Sequence, residues 1–73
     1  MIRLKVKEVA AQKHISQSRL SRLADIDQGT MRRIFNDPRS NITLETLNRL
    51  ARALRVQPGD LLEYETDPPP SVE

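Results

Sequence analysis

The sequence contains no cysteine, so neither a disulfide framework nor a zinc-cysteine site can hold the chain together, and packed apolar side chains must do so. Tryptophan is also absent, and the aromatics are Phe35 and Tyr64 alone. The stacking platforms common in single-strand and RNA binders are therefore missing. No apolar run approaches the roughly 20 residues of a membrane span, and the opening MIRLKVKEVA lacks the apolar stretch of a signal peptide. A soluble, cytoplasmic protein with no membrane partner is expected. Catalytic equipment is equally scarce: one histidine, no nucleophile beside a base, no cluster of metal ligands and no glycine-rich phosphate loop. No enzyme, metal or cofactor is expected. His14 falls where a first helix should stop, and a helix-terminating surface residue is favoured over a ligand or pH sensor.

At 73 residues there is room for one domain, near the lower size at which a single core suffices. Its formal charge of +2 conceals a segregation of sign. All twelve Lys and Arg lie at or before Arg55 against five acidic residues, and five acidic residues with no cation follow Val56. A basic body with an acidic end suits a phosphate partner, although an ordinary solvated surface has similar totals.

The most informative stretch is SQSRLSRLADIDQGTMRRIFN, residues 16 to 36. Ser16 and Asp27 are good N-caps, so one helix should run from Gln17 to about Ala24 and another from Gln28 to about Asn36, with Pro38 marking the stop. Leu20, Ser21, Ala24, Ile26, Met31 and Ile34 fall where two steeply crossed helices bury side chains against each other. Asp25, a residue type that tolerates the left-handed backbone, marks the turn. This is a helix-turn-helix pattern, whose usual use is to lay the second helix in the major groove of DNA.

Around it the chain offers a helix from Val6 to about Lys13, with Val6, Val9 and Ala10 on one face, and Ile15 pointing into the core. The run LETLNRLARALRV, capped by Thr43, is the longest helix, with Leu44, Leu47, Leu50, Ala51 and Leu54 as its apolar stripe. Arg49, Arg52 and Arg55 on it are expected to be a solvated face rather than a second DNA surface. Pro58 is placed to open one last helical turn that closes the core with Leu61 and Leu62. In the opening MIRLK, Ile2 and Leu4 share a face. Residues 62–65 can instead extend and pair with residues 2–5, within one chain or between two. A domain over 1–65 and a disordered, acidic, proline-rich tail over 66–73 are expected.

With these residues in place the chain resembles the Xre-type helix-turn-helix family, to which the Cro proteins and phage repressors belong. The resemblance spans roughly residues 4 to 63 and rests on Ile15-Ser16-Gln17, Leu20-Ser21, Ile26, Thr30-Met31-Arg32-Arg33-Ile34, and Thr43 to Leu47 followed by Leu50 to Leu54 and Val56. It implies an all-α, compact five-helix, lambda-repressor-like domain that binds operator DNA, commonly as a two-fold dimer. Departures are visible: His14 and Asp25 stand where members usually carry Gly, and Ala10 and Phe35 stand where many pair an Arg with a Glu. Gly29 falls where members often carry a base-reading side chain.

Applied to this chain, the expected base-reading set is Gln28, Gly29, Arg32 and Arg33. Gln28 can donate to and accept from an adenine edge, Arg33 can grip guanine N7 and O6, and Gly29 allows close approach. Arg32 is assigned to a phosphate or a rim base. Ser16, Gln17, Thr30, Asn36, Arg39, Ser40 and Asn41 are expected to fix the domain on the DNA backbone. The expected partners are double-stranded DNA and a second copy of the chain. The competing reading keeps the fold and makes it a protein-binding module, such as the antitoxin of a toxin pair.

Overall fold

Three of the four α-helices in the computed structural model, which describes residues 1–66, begin where a short oxygen-bearing side chain accepts from a free amide in the first turn. The helices are α1 (Val6–Gln12), α2 (Gln17–Ala24), α3 (Gln28–Asn36) and α4 (Leu44–Leu54). Ser16, Asp27 and Thr43 cap the last three by accepting from the amides of Arg19, Thr30 and Thr46 at 3.0–3.1 Å. Short strands β1 (Ile2–Leu4) and β2 (Leu62–Tyr64) close the chain on itself. The expected acidic tail lies, from residue 67 onward, outside the described residues. Among the described residues no helix is long and apolar enough to cross a membrane.

Where helices end, one device is used three times without glycine. His14, Asp25 and Arg55 adopt the left-handed conformation, with φ between 57° and 59°, while neither glycine does. Each is followed by a β-branched apolar residue whose amide reaches back five residues: Ile15 to the Ala10 carbonyl, Ile26 to Ser21, Val56 to Ala51. Ile15, Ile26 and Val56 then pack against the core, so each left-handed turn also anchors the chain that leaves it. The exit of α3 differs, because Pro38 bars continuation and Asp37 is extended.

Leu20 of α2, Met31 of α3, Leu50 of α4 and Leu61 have no exposed surface, and Val6 and Ala10 of α1 complete the centre of the core. Ala10 is buried and Phe35 is partly buried against the same cluster.

Three expectations are corrected. The fifth helix is a single 3-10 turn, Pro58–Leu61, whose start is tied by the Gln57 amide donating to the Asp60 carboxylate at 3.1 Å. The long helix stops at Leu54 instead of reaching Val56, because Arg55 turns left-handed. Leu44 is 83% exposed although it fits the apolar stripe, since it opens the helix one turn before the stripe meets the body. Ile2 and Leu4 share a face of the strand pair as alternation predicts, with Leu4 buried and Ile2 exposed.

The open question of the terminal strands resolves within the chain. β1 and β2 pair antiparallel with Ile2 opposite Tyr64, Arg3 opposite Glu63 and Leu4 opposite Leu62. The pairing is anchored by the Leu4 amide donating to the Pro38 carbonyl at 2.7 Å and the Lys5 amide to that of Leu61 at 2.8 Å. Arg3 holds both strands to α1, donating to Glu63 at 2.9 Å and to the Glu8 carboxylate. The hydrogen bond from Arg3 holds the Glu8 carboxyl below the ordinary carboxylate range, outweighing the opposing effect of its partial burial. A folded-state pKa below the unfolded one supplies stability above the unfolded value and loses it as pH falls through the folded value. Glu8→Gln is therefore expected to cost, after solvent screening, on the order of 0.5 kcal/mol at neutral pH and almost nothing in acid. Urea titrations of both proteins at neutral and acid pH check this, and an equal gap at both would remove the ion pair from the account.

Candidate nucleic-acid interface

The turn between α2 and α3 sets how the second helix stands away from the body, and the carbonyls of Asp25 and Ile26 in it are taken by two side chains. Ser21, buried on α2, donates its hydroxyl to the Ile26 carbonyl while its own carbonyl takes the Ile26 amide at 3.0 Å. Arg49, reaching across from α4, donates to the Asp25 carbonyl at 3.1 Å and to Glu45, one turn back on α4, at 2.8 Å. Small size at a helix crossing accounts for Ser21 in the sequence, but its hydrogen-bonding role, like that of Arg49, depends on tertiary packing. Neither bond leaves a local signal. Ser21→Ala should keep the packing and leave the Ile26 carbonyl short of a donor, costing about 1–2 kcal/mol. Chemical denaturation measures the loss, and an unchanged midpoint would show that solvent replaces the hydroxyl.

With Met31 and Ile34 locked into the core and Thr30 and Phe35 partly buried, the remaining side chains of α3 face outward. Gln28 and Arg32 stand one above the other at a spacing of four, and Gly29, Arg33 and Asn36 continue the same face at spacings of four and three. All five are exposed, and neither arginine has an ion-pair partner among the described residues. Asn36 thus falls on the stripe of the base-reading candidates and not beside the phosphate candidates. Gly29 is helical, and a Cβ added there would meet Asp27 Oδ2 at 3.3 Å, a side chain able to give way.

The two helix starts differ electrically. Asp27 accepts from the Thr30 amide at 3.0 Å and from the Thr30 hydroxyl at 2.7 Å, and these bonds hold its carboxyl below the ordinary range. An ionised carboxylate therefore occupies the positive end of α3 and discourages a phosphate there. Ser16 caps α2 without charge, so the start of α2, with Gln17 half-buried beside it, keeps its attraction for an anion.

The loop between α3 and α4 holds the remaining candidates. The Arg39 amide donates to Asp37 at 3.1 Å and its guanidinium pairs with Glu65 at 2.6 Å, yet half of that side chain stays in solvent. Asn41 is exposed. Ser40 donates its amide to the Asp37 carbonyl at 3.0 Å, and its hydroxyl is buried without a partner. The structure thus brings Ser16, Gln17, Arg39 and Asn41 to the surface, and spends or buries the polar side-chain groups of Thr30 and Ser40.

Comparison with known proteins fits this geometry. The model of the Cro/C1-type HTH DNA-binding domain matches residues 5–67. Over 57 residues the chain is 35% identical to an uncharacterized HTH-type transcriptional regulator of Bacillus subtilis (strain 168), YozG, a match covering 78% of this chain and 68% of that protein. Its fold is similar to the crystal structure of a candidate DNA-binding protein from Bacteroides fragilis, with a TM-score of 0.76 and 25% identity over 86% of this chain and all of that one.

Proposed function

The chain belongs to the Cro/C1-type helix-turn-helix DNA-binding family, and we propose that it is a sequence-specific transcriptional regulator that represses by occupying its operator, with α3 in the major groove. The observation that carries this reading is the outward stripe of α3, five exposed residues on a helix whose inner face is fixed by the core. Gln28 reads an adenine edge and Arg33 a guanine, Arg32 takes a rim base or a phosphate, and Gly29 admits the helix deep into the groove. Asn36 supports the far end of the stripe. The uncharged start of α2 at Ser16 and Gln17, together with Arg39 and Asn41, holds the DNA backbone on either side. The protein works in the cytoplasm, beside the DNA.

One recognition helix reads few base pairs, so specificity calls for two copies. Support for a homodimer comes from the terminal strand pair, whose apolar face outruns the body. Leu4 is buried and Leu62 partly so, but Ile2 and Tyr64, cross-strand partners on the same face, stand in solvent at 58% and 70% exposure.

Selection from random duplex DNA by the purified protein, at low and high salt, tests the proposal. A palindrome with half-sites about one helical turn apart is expected. Salt-sensitive retention of DNA with no enriched sequence would reject sequence-specific regulation.

A further inference from the structure

A second surface lies away from the DNA-facing residues and has a different chemistry. Between α2 and α4, beside the end of α1, is an open groove of about 650 Å³. Its rim carries Lys13, Arg19, Arg49, Arg52 and Arg55 against a single carboxylate, Asp25. Arg49 is committed to Glu45 and to the Asp25 carbonyl, and the other four cations have no ion-pair partner among the described residues. Between the cations, apolar surface comes from Ile15, Leu23 and Ala53.

Cations at helix ends commonly offset the helix dipole, which accounts for Lys13, Arg52 and Arg55. It does not account for Arg19, which sits in the first turn of α2 where a cation is electrostatically misplaced. Nor does it account for Leu23, half exposed one turn beyond Arg19 on a helix whose other exposed side chains are polar.

The geometry also narrows the occupant. The ends of α1, α2 and α4 all border the groove, and its cations come from all three with apolar side chains among them, so a single compact anion such as phosphate matches only part of the lining. Positive charge stands at the rim, on long side chains around an apolar centre. That pattern suits a chain with an apolar side chain in the middle and carboxylates to either side. None of the residues of the α3 stripe, nor Gln17, Arg39 or Asn41, lines the groove. It takes in the C-terminal part of α4, whereas the loop carrying Arg39 and Asn41 leads into the N-terminal end of that helix.

We propose that the groove between α2 and α4 is a docking site for an acidic, leucine-bearing segment of a partner protein. The partner seats its leucine beside Leu23 and spreads its carboxylates over Arg19, Arg52 and Arg55, leaving α3 free for DNA.

The test is a titration of the isotope-labelled full chain, followed by amide resonances, with a short peptide alternating glutamate and leucine and with its glutamate-serine counterpart. Shifts are expected at Arg19, Leu23, Ala53 and Arg55. Affinity should fall about tenfold on replacing the peptide leucines with serine, and about tenfold for Leu23→Ser, in keeping with loss of one buried leucine contact. Arg52→Gln should weaken the peptide and leave retention of duplex DNA unchanged. Shifts gathered on Gln28, Arg32 and Arg33, or equal binding of both peptides, would overturn the proposal. So would a loss of DNA affinity in Arg52→Gln as large as its loss of peptide affinity, since the groove would then be a phosphate contact. The titration contains no nucleic acid, so this inference and the DNA-binding reading can fail separately.

Discussion

Leu50→Ala is expected to destabilise the protein by about 2–5 kcal/mol, the range for truncating a fully buried leucine whose surroundings cannot close over the cavity. Leu50 has no exposed surface and sits at the middle of α4, the helix that carries much of the core. A chain this short has a total stability of roughly 4–10 kcal/mol, so the variant would lie near the limit of folding at room temperature. Thermal unfolding should show a midpoint lower by about 8 to 40 °C, at roughly 4–8 °C for each kcal/mol lost. Leu44→Ala, on the same helix and in the same apparent stripe, should change stability by less than about 0.5 kcal/mol, because Leu44 is 83% exposed. The pair separates burial from hydrophobicity: equal losses at both positions would mean that α4 is rotated or extended relative to the structure.

That contrast also shows which parts of the fold the sequence makes legible. Ser16 and Asp27 act within three residues of themselves, through bonds to Arg19 and Thr30, and local bonds of that kind place the starts of α2 and α3 where the caps predict. Periodicity likewise identifies Leu47, Leu50, Ala51 and Leu54 as an inward face, but it cannot say where along a helix the neighbouring elements begin, and so misplaces Leu44. The end of α4 is illegible for a related reason. An arginine carries no intrinsic preference for the left-handed turn that Arg55 makes, and packing of Val56 on the core supplies it.

At the candidate site the outward face of α3 follows from the same periodicity that buries Met31 and Ile34, so Gln28, Gly29, Arg32 and Arg33 can be grouped from the sequence alone. The roles of the surrounding polar residues cannot. Thr30 looks free until Asp27 is seen to take both its amide and its hydroxyl, and Ser40 looks exposed until the loop folds its hydroxyl inward. Arg39 meets Glu65, and Arg49 meets the turn at Asp25, only because distant segments pack together. Sequence patterns report which way a residue faces on its own element, and tertiary packing decides which partner is waiting there.

The same distinction sets the largest functional effect. Arg33→Ala should weaken binding to the selected operator by about 1–3 kcal/mol, roughly 5- to 150-fold, while binding to unrelated DNA falls far less. Arg33 is exposed, has no ion-pair partner among the described residues, and shares its face with Gly29, so its guanidinium has room to lie flat against a guanine edge. Removing it should relax preference at one base pair per half-site and leave the rest of the recognised sequence in place. Arg39→Ala is the informative comparison. Its side chain is held by Glu65 in the loop outside α3, and the proposed role there is a phosphate contact, so its loss should weaken all sequences alike and lower the salt dependence by about one phosphate contact. Repeating the selection with each variant, and measuring affinity for operator and scrambled duplex across a salt series, separates the two roles. If Arg33→Ala lowers both affinities by the same factor and the selected sequence is unchanged, Arg33 belongs with Arg39 among the backbone contacts, and the reading of guanine must come from Arg32.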